Sequence, residues 1–167
     1  MNKIVQNGYR AIALDPPGQG QATLGYEEPA QGGRVSLRDM GSYMKNVIKL
    51  VGVDKIILVV ADRGSAQALS LLKEFPEYVK AVCFLTPIVQ QDRDPLIIKQ
   101  YSEWMTKRNH KIISMSPQKD QDSKDSERVL NFFKNVKYEY VKYIGKLWFF
   151  EHHDDFEDLF FDWISNL

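Results

Sequence analysis

The sequence predicts an α/β fold, a mostly parallel sheet of about five strands with helices on both faces, and three observations carry that expectation. Apolar runs of strand length alternate along the chain with segments of helical period. One run, Ile56 to Ala61, passes directly into Asp62-Arg63-Gly64 and a helix-forming segment, which reads as a buried strand turning sharply into a helix. At 167 residues, 44% of them hydrophobic, the chain suits one globular domain with a substantial core, taken as 1–167.

The elements follow in order. A strand is expected at 10 to 14, and a Gly-, Pro- and Gln-rich loop at 15 to 35. Ser36-Leu37-Arg38-Asp39 is a helix start, after which Leu37, Met40, Met44, Val47, Ile48 and Val51 share one helical face until Gly52 ends it. The strand at 55 to 61 leads into a helix at about 64 to 74, and a third strand follows at 79 to 85. Asp94-Pro95 pairs a capping residue with proline at the first helical position and starts a helix to about 107. A strand at 111 to 115, a polar run from Ser116 to Ser126, a helix at about 124 to 134, a strand at 137 to 143 and a helix at 154 to 165 complete the chain. Strands separated by helices run parallel, and ligands bind outside their carboxyl ends. Asp62, Asp120 and Lys146 all emerge at that end.

Composition excludes several functions. Basic and acidic residues number 22 each, so no global field draws the chain to nucleic acid or a membrane surface. No apolar run approaches the roughly 20 residues of a spanning helix, and Met1-Asn2-Lys3-Ile4 lacks the apolar core of a signal peptide, so a cytoplasmic protein is expected. The single Cys83 lies in an apolar strand pattern and reads as a buried structural thiol. Gly18 and Gly20 are not followed by Lys-Ser/Thr or by a helix, so they read as turn glycines and not as a phosphate loop. No cofactor is expected, and no metal site.

Longer motifs carry a family resemblance. Asn7-Gly8-Tyr9-Arg10-Ala11-Ile12-Ala13-Leu14-Asp15-Pro16-Pro17-Gly18-Gln19-Gly20 resembles the "GYRVIAxDLPGHGxS" passage of α/β-hydrolases, and Phe75 to Leu85 resembles their "YPERVKALVLL". Val59-Val60-Ala61-Asp62-Arg63-Gly64 resembles the nucleophile elbow, with Asp62 where Ser would stand. Lys111 to Asp120 is similar to the strand ending in G-x-x-D, with Asp120 as the acid, and Tyr143-Ile144-Gly145-Lys146 is similar to the "GAGH" loop, with Lys146 in place of the catalytic His. The resemblance implies that the family's N-terminal strands and its His-Gly oxyanion loop are missing before Gly8. The absent strand would lie between those at 10 to 14 and 55 to 61. The backbone N–H of Arg63 is then the remaining oxyanion donor. Thr86 to Asn109 has room for one helix, so no cap domain is expected, which resembles the small capless branch typified by α/β-hydrolase domain-containing protein 14.

The chemistry this implies is degenerate. Asp62-Arg63-Gly64 is similar to the elbow of epoxide hydrolases and haloalkane dehalogenases, where a carboxylate attacks carbon and a His then activates the water that cleaves the ester. Lys146 cannot easily replace that His, because an ammonium with a reference pKa of about 10.4 is no base and neighbouring carboxylates keep it charged. Asp62, Asp120 and Lys146 are therefore expected to form an ion-pair cluster. His152 and His153 read as a solvated helix start pointing away from the elbow, since adjacent helical residues do not face one another. His110 reads as part of a polar connector, and Ser65 as a capping or packing hydroxyl. Trp148, Phe149, Phe150, Phe156, Phe160, Phe161 and Trp163 are spaced to dock the last helix on the sheet. A hydrolase-fold protein with weak or no activity is expected, binding a small molecule, a protein partner or a second copy of itself. The alternatives are an Asp-nucleophile hydrolase of an epoxide, haloalkane or ester, and a fragment of a longer hydrolase.

Overall fold

The computed structural model describes residues 2–17, 20–22, 37–89 and 95–167, which fall into two compact units, Met1–Ser36 and Leu37–Leu167. In the first unit a short helix α1, Asn2–Gln6, ends where the Gly8 N–H donates to the Val5 carbonyl (2.9 Å). Gly8 sits at φ +80°, the left-handed conformation that glycine adopts without steric cost at helix ends. Residues 10–14 do not form the expected strand. The apolar residues of that motif do not suffice for a strand, because ladder hydrogen bonds require a neighbour, and among the described residues none pairs with this segment. Gly20 acts as a turn glycine, as expected. A Cβ built on it would collide with the Asp15 carboxylate, whose Oδ2 accepts the Gln21 N–H at 3.0 Å.

The second unit is a parallel sheet of four strands in the order β1-β2-β3-β4: β1 Ile56–Ala61, β2 Val79–Leu85, β3 Lys111–Pro117 and β4 Val136–Val141. Its helices are α2 Leu37–Leu50, α3 Gly64–Glu74, α4 Pro95–Met105, α5 Gln121–Leu130, α6 Trp148–Glu151 and α7 His153–Ser165. Among the described residues the sheet has four strands where about five were expected, because residues 10–14 contribute none.

Alternation along β2 divides the core in two. Val82 and Phe84 face a cluster built with Ile48 of α2, Leu69 and Leu72 of α3, Met105 of α4 and Leu130 of α5. Ala81, Cys83 and Leu85 face Trp148, Phe160, Trp163 and Ile164 of α6 and α7, so the aromatic residues dock the last helix as their spacing predicts, except Phe150, which is exposed. A central strand covered on both faces reads as a continuous apolar run, which is why β2 was recognisable at its full length. β1 lies at an edge, and its Val59 is 42% exposed. Helix α2 approaches α3 closely at Gly41, where a Cβ would stand 2.8 Å from Ser70 Oγ and 3.3 Å from that residue's backbone.

Helix α5 starts three residues before the expected position. The Asp120 side chain accepts the Ser123 N–H at 2.9 Å, satisfying one of the unpaired donors of the first turn. The polar sequence Gln121-Asp122-Ser123 gave no hydrophobic period by which that turn could be recognised.

Candidate active site

The parallel register brings four segments together at the carboxyl end of the sheet. Ala61 pairs with Leu85, Leu85 with Met115 and Pro117 with Val141, so Asp62, Thr86, the turn before α5 and the segment after β4 follow successive strand ends. Asp62 lies at φ 49°, a left-handed conformation, directly between β1 and α3. Its N–H donates to the Leu85 carbonyl (3.1 Å), and its own carbonyl accepts from Ser65 (3.1 Å) and Ile88 (3.2 Å). These bonds hold the turn sharp and present the Asp62 side chain where the strand gives way to the helix. Its Oδ1 is buried and has no hydrogen-bond partner among the described residues. A buried acceptor in that condition costs about 1–3 kcal/mol unless something supplies a donor.

Thr86, one strand over, is fully buried and also left-handed, at φ 43°. For a β-branched residue that conformation is a real outlier, costing on the order of 1–3 kcal/mol, and such strain concentrates at functional sites. Sequence inspection missed Thr86, since no motif distinguishes the residue after an apolar strand.

The expected three-membered ion-pair cluster does not form. Lys146 instead pairs with Asp122, its Nζ donating to Oδ2, in a bridge whose side chains are 37% and 55% exposed. Asp120 is engaged as the α5 cap, accepting from both the backbone and the hydroxyl of Ser123. Geometry explains the exchange: a carboxylate at the cap is drawn to the helix donors, whereas one in the first turn projects freely toward the neighbouring segment. The hydrogen bond that Lys146 donates to Asp122 raises its pKa above the ordinary value, the charges of Asp122, Asp120 and Asp62 add to the rise, and desolvation opposes it. Lys146 is therefore an ammonium at neutral pH. Arg63 precedes α3 in helical conformation, φ −64° and ψ −19°, which puts its N–H, the candidate oxyanion donor, beside the elbow.

Of the remaining candidates, Ser65 adjoins the elbow, its N–H donating to the Asp62 carbonyl, and the three histidines have other partners. His110 Nε2 lies 3.1 Å from the Pro76 carbonyl, beside the starts of β2 and β3 and thus at the opposite end of the sheet. His153 lies against Asp154. His152 precedes α7 and stacks on the Tyr143 ring, with centroids 3.6 Å apart. Ser65 is fully buried with an unpartnered Oγ, consistent with a packing role. Burial pushes the Cys83 thiol far up, so it is neither nucleophile nor ligand. No group of three or more His, Cys, Asp or Glu residues suited to a metal ion occurs among the described residues. No helix among them is long and apolar enough to cross a membrane.

Comparison with known proteins bears on the fold. The chain is similar to a protein described as a predicted CIB-like hydrolase from Thermoplasma acidophilum, with a TM-score of 0.80 and 19% identity over 99% of this chain and 76% of that one. It is similar to the esterase EaEST of Exiguobacterium antarcticum, at TM-score 0.76 and 16% identity over 98% and 84% of the two chains. It is also similar to MGS-MChE2, an alpha/beta hydrolase enzyme from the metagenome of lagoon sediments at Mar Chica, Morocco, at 0.65 and 15% over 80% and 71%. Identities this low speak to the fold alone. No curated protein matches. Residues 1–108 match the alpha/beta hydrolase fold family, and with the parallel sheet and the turn at Asp62 this match establishes that the chain belongs to that family.

Proposed function

We propose that this protein is a hydrolase-fold protein with weak or no hydrolytic turnover that binds a small molecule or a protein partner, a second copy of itself included. One observation carries the reading. Lys146, which we take to stand where the family has its catalytic His, has its ammonium occupied by Asp122 and its pKa raised. A group held in its charged form cannot accept the proton that water must lose during ester hydrolysis. The kinship with the small capless branch and the cytoplasmic location belong to the same reading. It is supported by α4 as the one helix described between β2 and β3, and no cofactor enters it.

The unpartnered Oδ1 and left-handed backbone of Asp62 favour a second reading, an Asp-nucleophile hydrolase. There the carboxylate attacks an epoxide or halide-bearing carbon, the C–O or C–halogen bond breaks toward the leaving atom, and an ester remains on Asp62. Both readings are tested by the turnover of p-nitrophenyl esters, of a terminal epoxide and of a haloalkane, with wild type, Asp62→Asn and Lys146→His. Loss of a single stabilising donor costs about 100-fold or more, and groups acting as a unit are not additive, so wild-type turnover near background is expected. Robust hydrolysis abolished by Asp62→Asn would overturn the first reading. A stable mass increment on Asp62 without turnover would identify a nucleophile lacking a base to release it.

A further inference from the structure

Thr86 bonds to, or is flanked by residues that bond to, the carboxyl ends of β1 and β3 and the segment after β4. Toward β1, its neighbour Leu85 accepts the Asp62 N–H, while Ile88 two residues later donates to the Asp62 carbonyl at 3.2 Å. Toward β3, the Thr86 N–H donates to the Met115 carbonyl at 2.9 Å. Toward the segment after β4, its Oγ1 donates to the Lys146 carbonyl at 3.0 Å, a contact spanning 60 residues of chain. The residue is fully buried, and a β-branched side chain in a left-handed backbone persists only where its surroundings over-determine it.

We propose that Thr86 is the positioning residue of the candidate site, its hydroxyl holding the Lys146 segment in register with the elbow at Asp62. Lys146 is then anchored at both ends, by its carbonyl to Thr86 and by its ammonium to Asp122. The two anchors differ in kind. An exposed ion pair is exchangeable, whereas a hydrogen bond to a buried hydroxyl is not readily replaced by water. The backbone of residue 146 stays fixed while its ammonium can leave Asp122 for a ligand. This inference rests on the reading above only in treating Asp62 and Lys146 as one site.

Zero-length coupling with a carbodiimide tests the placement. Activation of the Asp122 carboxylate lets the Lys146 amine attack its carbonyl carbon, forming an amide as the urea leaves, and peptide mass spectrometry reads the yield. Wild type is expected to give the Lys146–Asp122 amide as the principal Lys146 product. Thr86→Val removes the hydroxyl at constant shape and is expected to lower that yield by up to about fivefold, the change in equilibrium constant that one net hydrogen bond supports. Thr86→Ser keeps the hydroxyl and should retain the yield. Thr86→Gly accepts the left-handed backbone and serves as the folded variant without a hydroxyl should Val not fold. Wild-type yield in folded Thr86→Val or Thr86→Gly would overturn the proposal, as would equal loss in Thr86→Ser. Robust ester turnover by wild type would overturn the weak-hydrolase reading and leave this outcome unaffected.

Discussion

Lys146 donates its ammonium to Asp122, in the first turn of α5, and not to Asp120 at the cap two residues before it. Two carboxylates of one turn therefore divide two tasks: one satisfies backbone donors, the other holds a charge from the segment after β4. Because Asp122 is the first cause of the raised Lys146 pKa and Asp62 the last, Asp122→Asn should lower that pKa more than Asp62→Asn does. Titration of the Lys146 side-chain carbon resonances measures both. A larger effect from Asp62→Asn would mean that Lys146 faces the elbow in solution.

Asp120→Ala should act on stability more than on Lys146. Loss of a helix N-cap costs about 1 kcal/mol, and the Ser123 N–H and hydroxyl lose their acceptor together. Urea denaturation is expected to show a lower midpoint with an unchanged slope. Asp120→Ser, which restores a capping oxygen, should recover most of the loss.

Gly41→Ala sets helix propensity against packing. Replacing glycine in a helix interior gains up to about 1 kcal/mol, but overpacking a tight contact typically costs about 1–3 kcal/mol. The added methyl would meet Ser70 Oγ at 2.8 Å and its backbone at 3.3 Å, so packing should win and the thermal midpoint should fall. Gly41→Ala combined with Ser70→Ala removes the 2.8 Å contact without placing a glycine in α3 and should recover part of the loss, the 3.3 Å backbone contact remaining. A rise in the midpoint of the single variant would show that the two helices separate freely.

Alkaline pH should unfold the protein. Cys83 and Tyr138 are raised chiefly by burial, which disfavours their charged forms, and Lys137 and Lys146 by hydrogen bonds to carboxylates. Every one of these folded-state pKa values lies above its unfolded value. The stability each contributes is fully present below the unfolded pKa and is lost as pH rises through the folded one. The thiol begins to count above about pH 8.5 and the phenol and ammonium groups above about pH 10. The urea midpoint should thus fall between neutrality and about pH 11, and Cys83→Ala should reduce the decline at its lower end. A flat profile would mean that these groups are not desolvated or paired in solution.

The amino-acid pattern was enough for four of the five expected strands and for the helices between them: the interior strand β2, buried on both faces, writes itself as a near-continuous apolar run, and the edge strand β4 as an alternation of apolar and charged residues. β2 and α3 were legible to the residue for this reason, as was the turn at Asp62, where a strand signal abuts a helix signal with no room for a loop. It was also enough to place Asp62, Asp120 and Lys146 at one end of the sheet, since parallel strands share a direction. Pairing lay beyond it. Residues 10–14 carry a strand motif but form no strand, because hydrogen-bonded neighbours come from the fold and not from local preference. Which of Asp120 and Asp122 meets Lys146 depends on where the first turn of α5 points, and a polar turn leaves no period from which to read it. Thr86 was invisible for the same reason, since a buried threonine after an apolar run looks like any other until its hydroxyl is seen reaching a carbonyl 60 residues away.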